Sequence, residues 1–158
     1  MRIGVTGHQK LPKDGLLVIR TGIRDELQRA VTRDELVGVT SLAAGADQLF
    51  ARLVLDVGGS LHIIVPSSNY ERTFADKDLK DYRELKHSAE RVDVLPFSDP
   101  NERAFFEAGK RVVDECDELI AVWDGLPAKG LGGTADVVRY AHSRGRVVVV
   151  VWPSGMRR

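Results

Sequence analysis

The sequence predicts an α/β chain, a mostly parallel sheet of about six strands with helices on both faces. Three observations lead there. Short apolar runs rich in valine and isoleucine recur along the 158 residues. They are nearly continuous rather than alternating, as strands covered on both faces are. Segments with helical spacing lie between them, so strand and helix alternate, the order that right-handed crossovers produce. No repeat, linker or low-complexity tract divides the chain, and its length fits one domain with a real core.

The first strand is "RIGVTG" (2–7), followed by a helix with Leu16, Ile19, Ile23, Leu27 and Val31 on one stripe. "LVGVTSL" (36–42) is the second strand, and Leu49, Leu53 and Val57 mark the next helix. "LHIIVP" (61–66) follows as the third strand. The charged stretch 67–91 then reads as a surface helix plus a loop able to fold over a site. "VDVLPF" (92–97) is the fourth strand, and Phe105, Gly109, Val112 and Val113 define a helix behind it. "ELIAVWD" (118–124) is the fifth strand, and the glycine-rich "GLGGTADVVRYA" (130–141) leads into the last helix. Gly145 stops that helix before "RVVVVVW" (146–152). The domain is expected to span 1–153, with 154–158 as a loose tail.

Composition excludes several classes. Hydrophobic residues make up 43% and charged ones 29%, values of a globular rather than a disordered chain. Acids and bases balance at 23 each, so no global field draws the chain to nucleic acid or anionic lipid. Only a local basic patch would serve there, and nucleic acid is not an expected partner. Cys116 is the only cysteine, which forbids an internal disulfide and fits a reducing cytoplasm. No signal peptide and no run of about 20 apolar residues is present, so neither export nor a membrane is expected. His8, His62, His87 and His142 have no ligand spacing with one another or with Cys116, and no metal is expected.

In open parallel sheets, ligands bind beyond the carboxyl ends of the strands, where the strand order reverses. That rule selects "TGHQK" after the first strand, "TSLAAGAD" after the second, "PSSNY" after the third and "WDGLPAKGLGGTAD" after the fifth. Glycine lets backbone approach a ligand, and N–H groups opening a helix attract anions. Singly, each motif has a structural reading. His8 can cap or sit on the surface, and the small residues of "SLAAGAD" can seat a helix on the sheet. Thr134 can be an N-cap and Asp136 a first-turn acid. Their joint placement at strand ends points to a phosphate or nucleotide site. The P-loop, the G-x-G-x-x-G turn and the G-x-S-x-G elbow are absent.

"GVTGH", "TSLAAGADQLFA", "CDELIAVWDG" and "GLGGTADVVRYA", in this order, resemble the SLOG superfamily. It joins the SMF/DprA DNA-processing proteins to the LOG nucleotide phosphoribohydrolases. "SLAAGAD" looks like the DprA-type Ser-Gly-Leu-Ala-x-Gly-x-Asp loop, and "GLGGTAD" like a variant of the LOG loop P-G-G-x-G-T-x-x-E. The resemblance implies a single Rossmann-like domain that binds a nucleotide or phosphoribosyl compound and assembles as a dimer or larger homo-oligomer. On the LOG pattern, Leu131 replaces a glycine and the catalytic glutamate falls at Val137. The arginine falls near Ala108, with Lys110 and Arg111 close by. Binding is therefore implied more strongly than hydrolysis, as in a ligand sensor, and no catalytic residue or cofactor is assigned.

On this reading Gly132, Gly133 and Thr134 hold phosphate, with Ser41 and Gly45 on the opposite wall. Thr6, Gly7 and His8 form the floor. Asp47 and Asp136 are candidates for ribose hydroxyls, with Asp124 nearby. Trp123 or Tyr70 would stack on a base, or else pack in core or lid. Arg72 is a phosphate clamp or a solvated arginine. The first alternative is a LOG-like phosphoribohydrolase using Asp136 or Glu107. The second is DprA-like single-strand DNA binding, against which the charge balance speaks.

Overall fold

A computed structural model describes residues 1–127 and 130–157. Ala128 and Lys129 of the fifth loop, and Arg158 of the expected tail, lie outside the described residues. The chain runs β1 (Arg2–Gly7), α1 (Leu16–Val31), β2 (Val37–Thr40), α2 (Ala46–Asp56), β3 (Ser60–Val65), α3 (Asp76–His87), β4 (Arg91–Val94), α4 (Glu102–Asp114), β5 (Glu118–Val122), α5 (Thr134–Ser143) and β6 (Val147–Val150). The sheet order is β4-β3-β2-β1-β5-β6 and every neighbouring pair is parallel.

The helices divide between the two faces. α1 and α2 bury Ile19, Ile23, Leu27, Phe50 and Leu53 against Ile3, Val5 and Ile63 of the sheet, and α3 adds Tyr82 and Leu85. On the other face α4 and α5 bury Ala108, Val112, Val137 and Ala141 against Val39, Ile64 and Leu119. Successive strand residues point to opposite faces, so β1 sends Ile3 and Val5 one way and Gly4 the other. Cys116 is buried under α4, and burial pushes its thiol up to about 11. It is a packing residue.

Four of the six apolar runs, 36–42, 92–97, 118–124 and 146–152, extend well past the ends of their strands. Thr40 ends β2 because its hydroxyl oxygen accepts the Leu42 N–H at 3.0 Å, and Leu42 takes a φ of 56°. β4 ends at Val94. The runs at 92–97 and 146–152 read as strands covered on both faces, yet β4 and β6 are the sheet edges. Val94 is 54% and Val147 61% exposed. Apolar continuity cannot tell an edge from a centre, because it records composition and not neighbours. Gly145 does end α5, with a φ of 70°. At the chain end, the Trp152 indole N–H donates to the Met156 carbonyl at 2.6 Å.

At the amino ends of the strands, a polar chain ties β1, β3 and β4 together. The Arg2 guanidinium, which can only donate, lies 2.6 Å from His62 Nδ1, and His62 Nε2 lies 2.7 Å from Asp93. His62 is buried. Its bond to Asp93 holds that carboxyl below the usual range, helped by Arg91.

The seat of α4 on the sheet depends on Gly4. A Cβ there would stand 2.8 Å from Val112 Cγ1 and 3.0 Å from Cys116 Sγ. Gly4→Ala is expected to destabilise the fold by about 1–3 kcal/mol through overpacking. Urea unfolding should show a lower midpoint with an unchanged m-value.

Candidate functional site

β1 lies between β2 and β5, so the direction in which strands are added reverses at β1. The loops leaving β1 and β5 diverge there, which opens a crevice beyond their carboxyl ends. The cavity at this place has a volume of about 490 Å³. Thr6, Gly7, His8, Ser41, Asp47, Tyr70, Gly132, Gly133 and Thr134 all line it. Gly45, Arg72, Trp123, Asp124 and Asp136 do not. No lysine or arginine is among the described lining residues.

The loop after β2 is held by its own side chains. Ala43 N–H donates to Asp47 Oδ2 at 3.2 Å, and Ala46 N–H donates to the His8 carbonyl at 3.1 Å. The last contact brings the β1 loop across the start of α2. Gly45, at a φ of 81°, makes the crossing possible, since a Cβ there would lie 2.2 Å from the Gln9 carbonyl oxygen. Its open face is filled by protein backbone. Gly7 likewise has no room for a side chain, because a Cβ would lie 2.5 Å from that of Ala46. Asp47 is only 7% exposed. Burial pushes its carboxyl up to about 7, against hydrogen bonds from Ala43, Thr40 and Ser41 that favour the ionised form.

Tyr70 is buried among Phe74, Tyr82 and Phe105, with ring centroids 4.9, 5.5 and 6.1 Å away. Burial and the neighbouring Asp47 hold its hydroxyl well above the usual tyrosine value. The charged segment 67–91 thus supplies an aromatic wall from its 3-10 turn, Tyr70–Thr73, and from Phe74. Arg72, on the same turn, is exposed.

After β5, Asp124 is placed beneath His8. His8 Nε2 lies 3.2 Å from the Asp124 amide nitrogen, which donates to it, and 3.3 Å from Asp124 Oδ1. Both side chains are buried. Asp124 Oδ1 also accepts the Leu126 N–H at 3.0 Å, and the Trp123 indole donates to the Leu126 carbonyl at 2.8 Å. Trp123 therefore braces its own loop.

The glycine-rich stretch divides its work. Gly132 has a φ of 82° and no space for a side chain, since a Cβ would meet Phe106 Cβ at 2.9 Å. Gly133 is extended, at φ −70° and ψ 173°, and is the N-cap of α5. Thr134 is thus the first helical residue rather than the cap, and its buried side chain borders the cavity. Asp136 is a first-turn acid that accepts the Gly132 N–H at 3.1 Å and pairs with Arg139 at 3.1 Å.

Sequence reasoning missed the α4 wall, which is Phe105, Gly109 and Val112. Their helical spacing was visible, but which side of the sheet α4 covers was not. A Cβ at Gly109 would lie 2.7 Å from Val137 Cγ2, so α4 and α5 interlock at the positions where the LOG pattern has its catalytic pair. Ala108 and Val137 are buried. Lys110 pairs with Glu107 at 2.7 Å and Arg111 with Glu115 at 3.2 Å. Neither Glu107 nor Asp136 lines the cavity.

Solved structures share this architecture. DNA processing protein A (DprA) from Streptococcus pneumoniae superposes with a TM-score of 0.68 at 22% identity, over 94% of this chain and 49% of that one. The Helicobacter pylori DprA, solved for its single-stranded DNA binding mode, gives 0.68 at 16% over 95% and 64%. The molybdenum cofactor carrier protein from Chlamydomonas reinhardtii gives 0.58 at 16% over 94% and 74%. The fold is shared with these proteins. This chain spans about half the length of the S. pneumoniae DprA. No family model matches its sequence, and no curated protein matches it. The expectation that nucleic acid is no partner gains nothing from these neighbours. Among the described residues no group of acids, histidines or cysteine could hold a metal ion, and no helix is long and apolar enough to cross a membrane.

The raised Asp47 carboxyl has a consequence for stability. The folded chain keeps a proton that the unfolded chain releases near the ordinary aspartate value, so stability is greatest below about pH 4 as far as this group is concerned. It falls as pH rises towards about 7 and levels above that. Asp47→Asn removes the ionisation and keeps an acceptor for Ala43. The variant is expected to melt above the wild type at pH 8, by a margin that narrows at pH 5. Thermal melts at both pH values check this.

Proposed function

We propose that the cavity binds a nucleotide or phosphoribosyl ligand without cleaving it. One observation carries the reading: Thr6, Ser41, Gly133 and Thr134 converge on one cavity at the sheet's reversal point. The first turn of α5 leaves N–H groups without intrahelical partners, and these with the Thr134 hydroxyl suit a phosphate. Towards β3, Tyr70, Phe74 and Phe105 offer an apolar wall for a base. A volume of about 490 Å³ lies within the usual range for small-molecule sites.

The α4–α5 interface supports binding rather than turnover. Where a glycosidic bond would need an acid and a cation, the chain has Val137 and Ala108, both buried in packing. Loss of an acid/base partner typically removes a factor of roughly 10²–10⁴ in rate. The likeness to DprA supports single-strand DNA binding only through the fold, which hosts unrelated functions. Among the described lining residues there is no lysine or arginine for a phosphate chain.

A panel of nucleoside monophosphates, diphosphates, cyclic nucleotides, ADP-ribose and free nucleosides tests the reading by thermal shift. A ligand at about 100 times its dissociation constant adds about 2.7 kcal/mol, roughly 2–4 °C per kcal/mol for a domain of this size. Phosphorylated members are expected to stabilise the chain and their nucleosides much less. Thr134→Ala should remain folded and bind a phosphorylated ligand about tenfold or more weakly, the cost of one hydrogen bond to a charged group. Equal stabilisation by nucleosides, or equal weakening for both ligand types, would refute a phosphate site.

Incubated with common nucleoside monophosphates, the protein is expected to release no free base at an enzymatic rate. Chromatographic detection of rapid base release would establish the phosphoribohydrolase reading instead.

A further inference from the structure

We propose that the cavity takes up one proton together with an anionic ligand, and that Asp47 carries that proton. The inference rests on the nucleotide reading above and specifies how the site meets the ligand's charge.

The geometry supplies the argument. Asp47 lines the cavity from the first turn of α2 and is 7% exposed. The groups that face it are neutral hydrogen-bonding groups. Thr40 of β2 and the backbone of Ser41 and Ala43 hold the carboxyl. Tyr70 faces it from the 3-10 turn, with Tyr82 behind. Among the described lining residues, His8 on the β1 loop is the one titratable side chain besides Asp47 and Tyr70, and its Nε2 is engaged by Asp124. Among the described lining residues no lysine or arginine offsets an ionised Asp47 and a bound phosphate together.

The cavity is on the order of 10 Å across, so a phosphate anywhere in it lies within reach of the carboxylate's field in a medium that screens poorly. Two like charges sharing such a site force one of them to take a proton. The weaker acid is Asp47, whose carboxyl burial has already brought to about 7, whereas a phosphate monoester loses its second proton near roughly 6. Protonation also converts Asp47 from an acceptor-only group into a donor, able to give its O–H to a ligand oxygen. Linkage is reciprocal. A ligand that favours protonated Asp47 binds more weakly as rising pH removes that proton.

Calorimetric titration with adenosine monophosphate at pH 8, in two buffers of different ionisation enthalpy, counts the protons taken up. Wild type is expected to absorb close to one per bound nucleotide, and its dissociation constant to rise about tenfold per pH unit above pH 7.5. Asp47→Asn should absorb none, show a flat dissociation constant over that range, and bind more tightly than wild type at pH 9. Thr40→Val removes a hydroxyl that favours the ionised carboxyl, so the wild-type pH dependence should persist with its onset at higher pH. It also decides the matter should Asp47→Asn fail to fold.

Nucleotide binding by wild type without proton uptake would overturn the inference and leave the nucleotide reading intact. The same holds for uptake that is unchanged in Asp47→Asn, or for an onset unmoved in Thr40→Val. Absence of adenosine monophosphate binding by all three proteins at both pH 6 and pH 8 would overturn the inference together with that ligand.

Discussion

The pairing of β1 with β5 is the contact on which the arrangement turns. Five residue pairs join the strands, from Ile3 with Glu118 to Gly7 with Val122, and the His8 N–H extends the ladder to the Val122 carbonyl at 3.1 Å. The chain lays β2, β3 and β4 on one side of β1 and must then cross back to place β5 on the other. Right-handed crossovers then put α1, α2 and α3 on one face and α4 and α5 on the opposite one. The loops leaving β1 and β5 part in opposite directions, and the crevice between them is the cavity. Gly4 and Gly7 let α4 and the start of α2 approach this strand closely.

The two glycine-bearing loops on the cavity end in different chemical states. After β2, the Leu42 and Ala43 N–H groups are bonded to Thr40 and Asp47. That wall is closed by its own side chains, and Gly45 serves the crossing with the β1 loop. After β5, Asp136 ties back the Gly132 N–H, and the helix opens at Thr134 beside the cavity. The proposed anion contacts are thus concentrated at α5. An aspartate at the start of α2 would ordinarily be favoured as an anion by the helix dipole, but burial outweighs that preference at Asp47.

The interface between α4 and α5 bears most directly on chemistry. Val137 fills the space that Gly109 leaves and also borders the cavity, so an apolar side chain stands there. The nearby charges are paired, Lys110 with Glu107 on α4, and Arg111 with Glu115 at the end of α4 and with Asp93 of β4. A fold shared with a DNA-processing protein and a cofactor carrier leaves function to be argued from such local residues.

Much of this was legible in the residues. Near-continuous valine and isoleucine runs separated by helical spacing specified a parallel sheet with two covered faces, because strands buried on both sides require apolar residues at every position. Strand-end loops carrying glycine beside serine or threonine marked the cavity's rim for the same kind of local reason. Only the tertiary structure decided the rest. It separated β4 and β6 as edges, turned Gly45 towards Gln9 instead of a ligand, and gave Trp123 to its own loop and Asp136 to the start of α5. It also brought α4 onto the cavity, and it buried Asp47 where its charge is costly. Local pattern records what a residue can do. Which neighbour a side chain meets, and how much water is left around it, depends on segments far away in sequence, and those distances set both the fit of a glycine and the proton on a carboxyl.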